Sequence, residues 1–231
     1  ATNSVFIIGG TTSMPFKGFQ EGKQVRLTLS DTEKIQNNVE GVEFVVPRNL
    51  TQSLVVRNLL SGTFGVAGDF PLLDKVQKKK LLHGRFINQS DIDNRRKVAV
   101  ISEDVYKQLF EKDVNAIGDL IQINSSNYMV VGVFDVGNIQ LGPSDDIHIP
   151  FTTFQQTYNR GDRIGWMMIT GKPEFNIVQI EQDAKLMLKN IHKIHPEDDR
   201  AFRSFNLGQA FGRMTGFLIG MQFLTWFVGI A

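Results

Sequence analysis

Apolar and polar positions alternate along 23–29 (KQVRLTL), which predicts a strand. The next four residues, Ser30-Asp31-Thr32-Glu33, carry the pattern of a capping box, in which the hydroxyl and the carboxylate satisfy orphan amides at a helix start. A short helix with Ile35 and Val39 on one face is therefore expected to run to about Asn38. Residues 41–48 (GVEFVVPR) predict a second strand and 53–60 a third, while 3–22, broken by Gly9, Gly10, Pro15 and Gly18, reads as irregular. The last third repeats the plan. Residues 165–171 (GWMMITG) predict a strand, and Asn176 and Gln179 are candidate caps for a helix. Ile177, Ile180, Ala184, Met187, Ile191 and Ile194 form its apolar stripe, Glu181 and Lys185 pair outward, and Pro196 ends it. Residues 201–207 (AFRSFNL) supply the return strand.

Between these two strand–helix–strand units lies a strand-rich stretch, about 63–162. It holds a strand at 97–102 (KVAVIS) and a short helix at 103–110, with Ser102 as N-cap and the pairs Val105–Leu109 and Tyr106–Phe110. Residues 120–124 and 128–134 predict a hairpin around Ser125-Ser126, and Ile147, Ile149 and Phe151 alternate on a further strand. Residues 137–144 (GNIQLGPS) read as the most mobile loop. The expected fold class is α+β, a split layer of two β-α-β units with an inserted β-rich subdomain. The expected divisions are 1–62 and 163–207 for the two halves of the outer layer, 63–162 for the insert, and 208–231 for an apolar tail.

That tail, 214–231 (MTGFLIGMQFLTWFVGIA), has no charge, and only Thr215, Gln222 and Thr225 are polar. It reads as the start of a transmembrane helix, with a buried C-terminal helix as the alternative. The chain starts Ala1-Thr2-Asn3 with no initiator Met and no signal-peptide pattern, so it reads as a piece of something longer.

Composition narrows the chemistry. Of the 231 residues, 25 are Lys or Arg and 24 are Asp or Glu, a balance of +1 that argues against nucleic acid as a partner. Hydrophobic residues make up 42%, enough for a core, and the absence of cysteine excludes disulfides, thiolate metal sites and a cysteine nucleophile. The sequence contains no GxxxxGK[ST] phosphate loop and no GxSxG elbow. His192, His195, Glu197, Asp198 and Asp199 could be read as a metal cluster, but they sit at a helix end where imidazoles favour the dipole, and a solvated helix end is the expectation. His83 and His148 stand alone and far apart. Asp145/Asp146 and Asp91/Asp93 could be paired carboxylates; turn and cap roles are expected instead. Lys78-Lys79-Lys80 reads as a solvated basic run. No catalytic, cofactor or metal residue is assigned.

The order of motifs in the middle resembles the MacB-like periplasmic core domain. Leu82-His83-Gly84-Arg85-Phe86 followed by Ser90-Asp91 is similar to that family's GR-F-x-x-x-D element, and 97–110 to its strand and helix. Ile117-Gly118-Asp119 with Ile121-Gln122-Ile123 resembles G-K-x-I-x-I, Asp119 replacing the usual Lys. Residues 128–134 (YMVVGVF), 146–152 (DIHIPFT) and 65–69 (GVAGD) occupy further family positions, and the resemblance extends over roughly 18–231. Within it, Gly84 is expected to supply an unusual backbone conformation and Arg85 a structural anchor.

The resemblance implies the periplasmic domain of an ABC-transporter permease in the bacterial inner membrane, of the macrolide-exporter or lipoprotein-releasing type. It implies a porter-like outer layer and a non-enzymatic role, ATP hydrolysis belonging to a separate ATP-binding cassette subunit or domain. Implied partners are that subunit, a second permease copy, a periplasmic adaptor or lipoprotein carrier, and the membrane. Efflux is the first reading. A lipoprotein-releasing permease domain and a soluble periplasmic binding domain are the alternatives.

Overall fold

Residues 3–72, 79–111, 114–135 and 146–206 are described by a computed structural model. In chain order its elements begin β1 (Ser4–Gly9), α1 (Leu29–Asn38), β2 (Val42–Arg57), β3 (Leu60–Asp69), β4 (Lys80–Gly84), α2 (Gln89–Asp93), β5 (Val98–Ser102) and α3 (Glu103–Leu109). They continue β6 (Leu120–Ile123), β7 (Ser126–Asp135), β8 (Ile147–Pro150), α4 (Phe151–Thr157), β9 (Trp166–Gly171), α5 (Ile177–Ile191) and β10 (Phe202–Asn206). The chain sorts into two units. The first draws on Ala1–Val25, Asp31–Val45 and the described part of Met167–Ala231; the second on Arg26–Ser30 and Val46–Trp166. The apolar stretch 214–231 and the loop 137–144 lie outside the described residues. Among the described residues no helix is long and apolar enough to cross a membrane.

In the first unit β1 pairs antiparallel with β10, from Val5↔Asn206 to Gly9↔Phe202. The strand order is β10-β1-β9-β2. Val5 and Ile7 are fully buried, as are Ala184 and Leu188 of α5. β1 was expected to be irregular; SVFIIG is apolar on both faces, which hides the period-two signal. The alternating segment 23–29 is not a ladder strand. Val25 and Leu27 are buried, but it makes only the isolated bridges Thr11↔Gln24 and Thr28↔Arg163. α1 begins at Leu29, so Ser30 lies inside the helix rather than capping it.

α5 starts as expected at Asn176, whose side chain accepts from the Val178 amide at 2.9 Å. Gln179 does not cap; its amide bonds Asp183 at 3.0 Å. The buried stripe is Ile177, Ile180, Ala184 and Leu188. Met187 lies at the margin of that face, and Ile191 occupies the last turn, so both are only half-buried. The Glu181–Lys185 pair, expected to point outward, is partly enclosed and linked to Ser204 of β10.

The second unit closes on itself. β2 pairs β3, β3 pairs β8, β8 pairs β5, β5 pairs β7, β7 pairs β6, and β6 returns to β2 at Val55↔Ile123 and Val56↔Gln122. This is a six-stranded barrel, with β4 added along the free half of the β7 edge. Ring closure removes the edges an open sheet would leave. Inward side chains, including Val55, Val66, Ile101, Ile121, Val130 and Ile149, form one core with Val105 and Leu109 of α3 and Phe154 of α4.

Several expected elements shift here. The strands expected at 41–48 and 53–60 merge into one, β2, which ends at Arg57; 58–59 form the turn and Leu60 opens β3. Pro47 is tolerated because the ladder with β3 begins only at Asn49↔Gly68. The β6–β7 turn is Asn124-Ser125, one residue earlier than expected, with φ of 47° and 64°, as a two-residue type I′ turn requires. Phe151 does not continue β8. It opens α4, which the sparse apolar content of FTTFQQT conceals. α3 follows the expectation: Ser102 accepts from the Val105 amide, and Tyr106 stacks on Phe110 with centroids 5.4 Å apart.

Candidate functional site

The most concentrated chemistry lies on the barrel, in side chains that the sequence separates widely. Arg48 comes from β2, Asp69 from the end of β3 and His148 from β8; they are 4%, 3% and 5% exposed. The strands are neighbours in the order β2-β3-β8, so the three side chains meet across two seams. Arg48 grips Asp69 through two donors, Nε to Oδ1 at 2.5 Å and an Nη to Oδ2 at 3.0 Å. His148 Nδ1 bonds the same Oδ2. On the other side of the ring, Lys79 Nζ lies 2.8 Å from Nε2. Lys79 also sits over the Phe134 ring, whose centroid is 5.0 Å from that of His148.

The hydrogen bonds assign the tautomer. An ammonium can only donate, so Nε2 accepts from Lys79. Nδ1 then carries the proton and donates to Asp69. The 3.4 Å approach of Arg48 to Nδ1 is thus donor against donor and is not a hydrogen bond. Burial and the Lys79 ammonium push the His148 pKa down, outweighing the pull of Asp69, which leaves the imidazole neutral. Burial on its own would raise the Asp69 carboxyl. Arg48 and the Nδ1–H donor overcome that and hold it well below the usual carboxylate range.

The remaining sequence candidates separate into scaffold roles. Asp91 is fully buried and, with Asn88, completes a capping box at α2. It also pairs with Arg85 at 2.6 Å. Gly84 has φ of 76°, and a Cβ there would stand 2.2 Å from the Val131 carbonyl, so glycine is required. Both family-matched residues therefore play the structural parts expected of them. Asp93 is exposed and bonds Gln89; Asp146 accepts from the Gly65 amide at 2.9 Å; His83 is exposed. Asp145 and Lys78 lie outside the described residues. Lys79, expected in a solvated basic run, is half-buried and reaches the buried cluster through His148.

The 192–199 segment departs from the expected solvated helix end. His192 Nε2 bonds the buried Asp31 at 2.9 Å. Asp198 is fully buried and accepts from the Ser13 amide at 2.7 Å, the Ser13 hydroxyl at 2.8 Å and the Met14 amide at 3.1 Å. His195 packs edge-on to Phe16. Asp198 and His195 fasten the 10–22 loop of the first unit, and His192 ties the end of α5 to α1. Among the described residues no group of three or more His, Asp or Glu is arranged to hold a metal ion.

Sequence reasoning missed the Arg48–Asp69–His148–Lys79 cluster. The available signal was an Asp at the end of an otherwise apolar strand, in GVAGD, and a His inside IHIP. Chemically the cluster can hold one proton on His148 in a fixed place and bind three strands and the start of a fourth. The imidazole bonds Asp69 on one side and Lys79 on the other, an arrangement that serves as a clamp.

The family model described as the MacB-like periplasmic core domain matches residues 1–186, beginning and ending earlier than the 18–231 that the motifs suggest. The macrolide export ATP-binding/permease protein MacB of Bdellovibrio bacteriovorus is 23% identical over 192 residues, covering 81% of this chain and 29% of its own length. The protein of the same description from Aggregatibacter actinomycetemcomitans is 28% identical over 171 residues, covering 72% and 26%. The chain thus spans less than a third of the length of these relatives. Among solved structures, the periplasmic region of MacB from Actinobacillus actinomycetemcomitans matches with a TM-score of 0.73 at 21% identity, covering 93% of each chain. The extracellular domain of the noncanonic ABC-type transporter YknZ from Gram-positive bacteria matches at 0.72 with 16% identity, covering 88% of this chain and 100% of that one. The shared property at these identities is a mixed α/β fold.

Proposed function

This chain belongs to the MacB-like periplasmic core domain family, and from that premise we propose that it is the periplasmic domain of an ABC-transporter permease in a bacterial inner membrane. It passes conformational change driven by ATP to periplasmic partners, in export. The observation that carries this reading is the family match over 1–186. The relatives' description as macrolide export ATP-binding/permease proteins favours export over lipoprotein release. In this reading the ATP-binding cassette lies on a separate domain or subunit, and a second permease copy and a periplasmic adaptor complete the assembly. The apolar stretch 214–231 begins a membrane span. The first unit corresponds to a porter-like layer and the barrel to its insert.

The physical character of the barrel supports the reading. A part that hands on motion must move as a body and not deform under load. A closed ring with ion pairs across its seams resists shear between strands better than an open sheet.

The test uses the full-length transporter. The chain has no cysteine of its own, so Leu59→Cys at the fully exposed tip of the β2–β3 hairpin takes a spin label cleanly in this domain. The label-to-label distance between two copies is expected to differ between nucleotide-free and ATP-trapped states. Identical distance distributions in both states, in a preparation that still hydrolyses ATP and exports, would refute coupled motion of this domain.

A further inference from the structure

We infer that His148 and Lys79 form an acid-sensitive latch, which holds the chain at the head of β4 against the barrel at neutral pH and releases it when the imidazole takes a second proton. The latch does not depend on the transporter reading. It follows from four groups meeting at one ring. Asp69 faces it from β3, Arg48 from β2, and Lys79 from the residue before β4. The neighbours from β5 and β7, Val100 and Phe134, carry no charge.

With the ring neutral, its two short contacts are matched: Lys79 donates to Nε2 and Nδ1–H donates to Asp69. Protonation of Nε2 sets two donors face to face across 2.8 Å. It also places a third cation beside Arg48 and Lys79, with Asp69 as the carboxylate among them. Arg48 cannot retreat, because both of its bonds to Asp69 are buried. Asp69 and His148 are held in ladder positions, Asp69↔Pro150 and Ala67↔His148. Lys79 is the group outside any ladder, and it is half-exposed, with water within reach. The Lys79–His148 bond is therefore the one that breaks. Lys80, the next residue, opens the β4–β7 ladder opposite Asp135, so the release is felt at that end of β4. Burial and Lys79 set the imidazole below its ordinary 6.5, so the latch stays shut at neutral pH and opens in acid.

The experiment is a pH titration of the 231-residue chain labelled with 15N, followed by NMR. At ~pH 7.5 the His148 Nδ1 should resonate as a protonated nitrogen and Nε2 as an unprotonated one. On acidification, the Lys80 and Leu81 amides should move in one step with the imidazole, at a midpoint below 6.5, while Ile121 and Ile123 of β6 stay still. Lys79→Met should raise that midpoint by about one unit, a tenfold lower proton concentration. Should that variant fail to fold, the tautomer and the wild-type titration decide alone. An Nε2–H tautomer, a charged ring at neutral pH, or β4 amides that do not follow the ring would overturn the latch, as would a midpoint indifferent to Lys79→Met.

Discussion

Asp69 in the barrel and Asp198 in the first unit are both buried carboxylates, 3% and 0% exposed, yet they are compensated in opposite ways. Asp69 is matched by charge: a two-donor guanidinium from one strand and an imidazole from another. Asp198 is matched by neutral dipoles, the amides of Ser13, Met14 and Arg200 and the Ser13 hydroxyl. Burial opposes ionisation of both, and in both the partners win, so each stays charged with a lowered pKa. The difference lies in what each removal leaves behind. Without Asp69 a buried guanidinium is stranded. Without Asp198 a surface loop loses its fastening but its amides can turn to water.

The comparison predicts unequal losses. Asp69→Ala should cost about 3–5 kcal/mol in denaturant unfolding, the range for breaking one side of a buried pair. Removing the pair, as Arg48→Met with Asp69→Leu, should recover a large part of that loss. A double variant no more stable than Asp69→Ala would mean that His148 and not Arg48 dominates. Asp198→Ala should cost less, about 1–3 kcal/mol, with faster amide exchange confined to Ser13, Met14 and their neighbours. A loss as large as that of Asp69→Ala would break the distinction.

Acid titration sharpens it further. A carboxyl whose folded pKa lies below its ordinary 3.8 takes its proton later than the unfolded chain does. Its contribution is complete above about pH 4 and fades as pH falls through the folded value. Asp69→Ala should therefore flatten the fall in stability between about pH 4 and pH 2 more than Asp198→Ala does. The smallest effect belongs to the partly enclosed triad of Glu181, Lys185 and Ser204. Ser204→Ala should change stability by no more than about 0.5 kcal/mol in the same unfolding assay. A larger change would mean that this rim contact matters as much as the buried ones.

What could be read from the sequence follows the range of each interaction. The β6–β7 hairpin was legible because Ile121, Ile123, Tyr128 and Val130 alternate around a turn of Asn and Ser. The Asn176 cap and most of the α5 stripe were legible for the same local reason, as was the anchoring role of Arg85, whose partner Asp91 is six residues away. Signals failed where neighbours in space supply the logic. β1 is apolar on both faces although only the face of Val5 and Ile7 is fully covered; on the other, Phe6 is half-buried and Ile8 exposed, so the alternation lies in burial and not in residue type. β2 runs through Pro47 because its ladder to β3 starts beyond it. His148 looked solitary because Asp69 lies 79 positions earlier and Lys79 69 positions earlier. Asp198 looked solvated because its loop partner is 185 positions away.

The closed ring also sets a timetable for the nascent chain. β2 and β3 form their hairpin early, but β3 meets its second neighbour, β8, only once residues 147–150 exist, and β2 waits for β6. Until then β2, the longest strand of the barrel, and β3 carry bare backbone edges. Pairings this distant in sequence fold slowly, because the loop must be closed before any contact rewards it. The interval between synthesis and closure is thus when this domain is most exposed to misassembly, and holding β2 and β3 apart from other strands during it is the requirement any folding helper must meet.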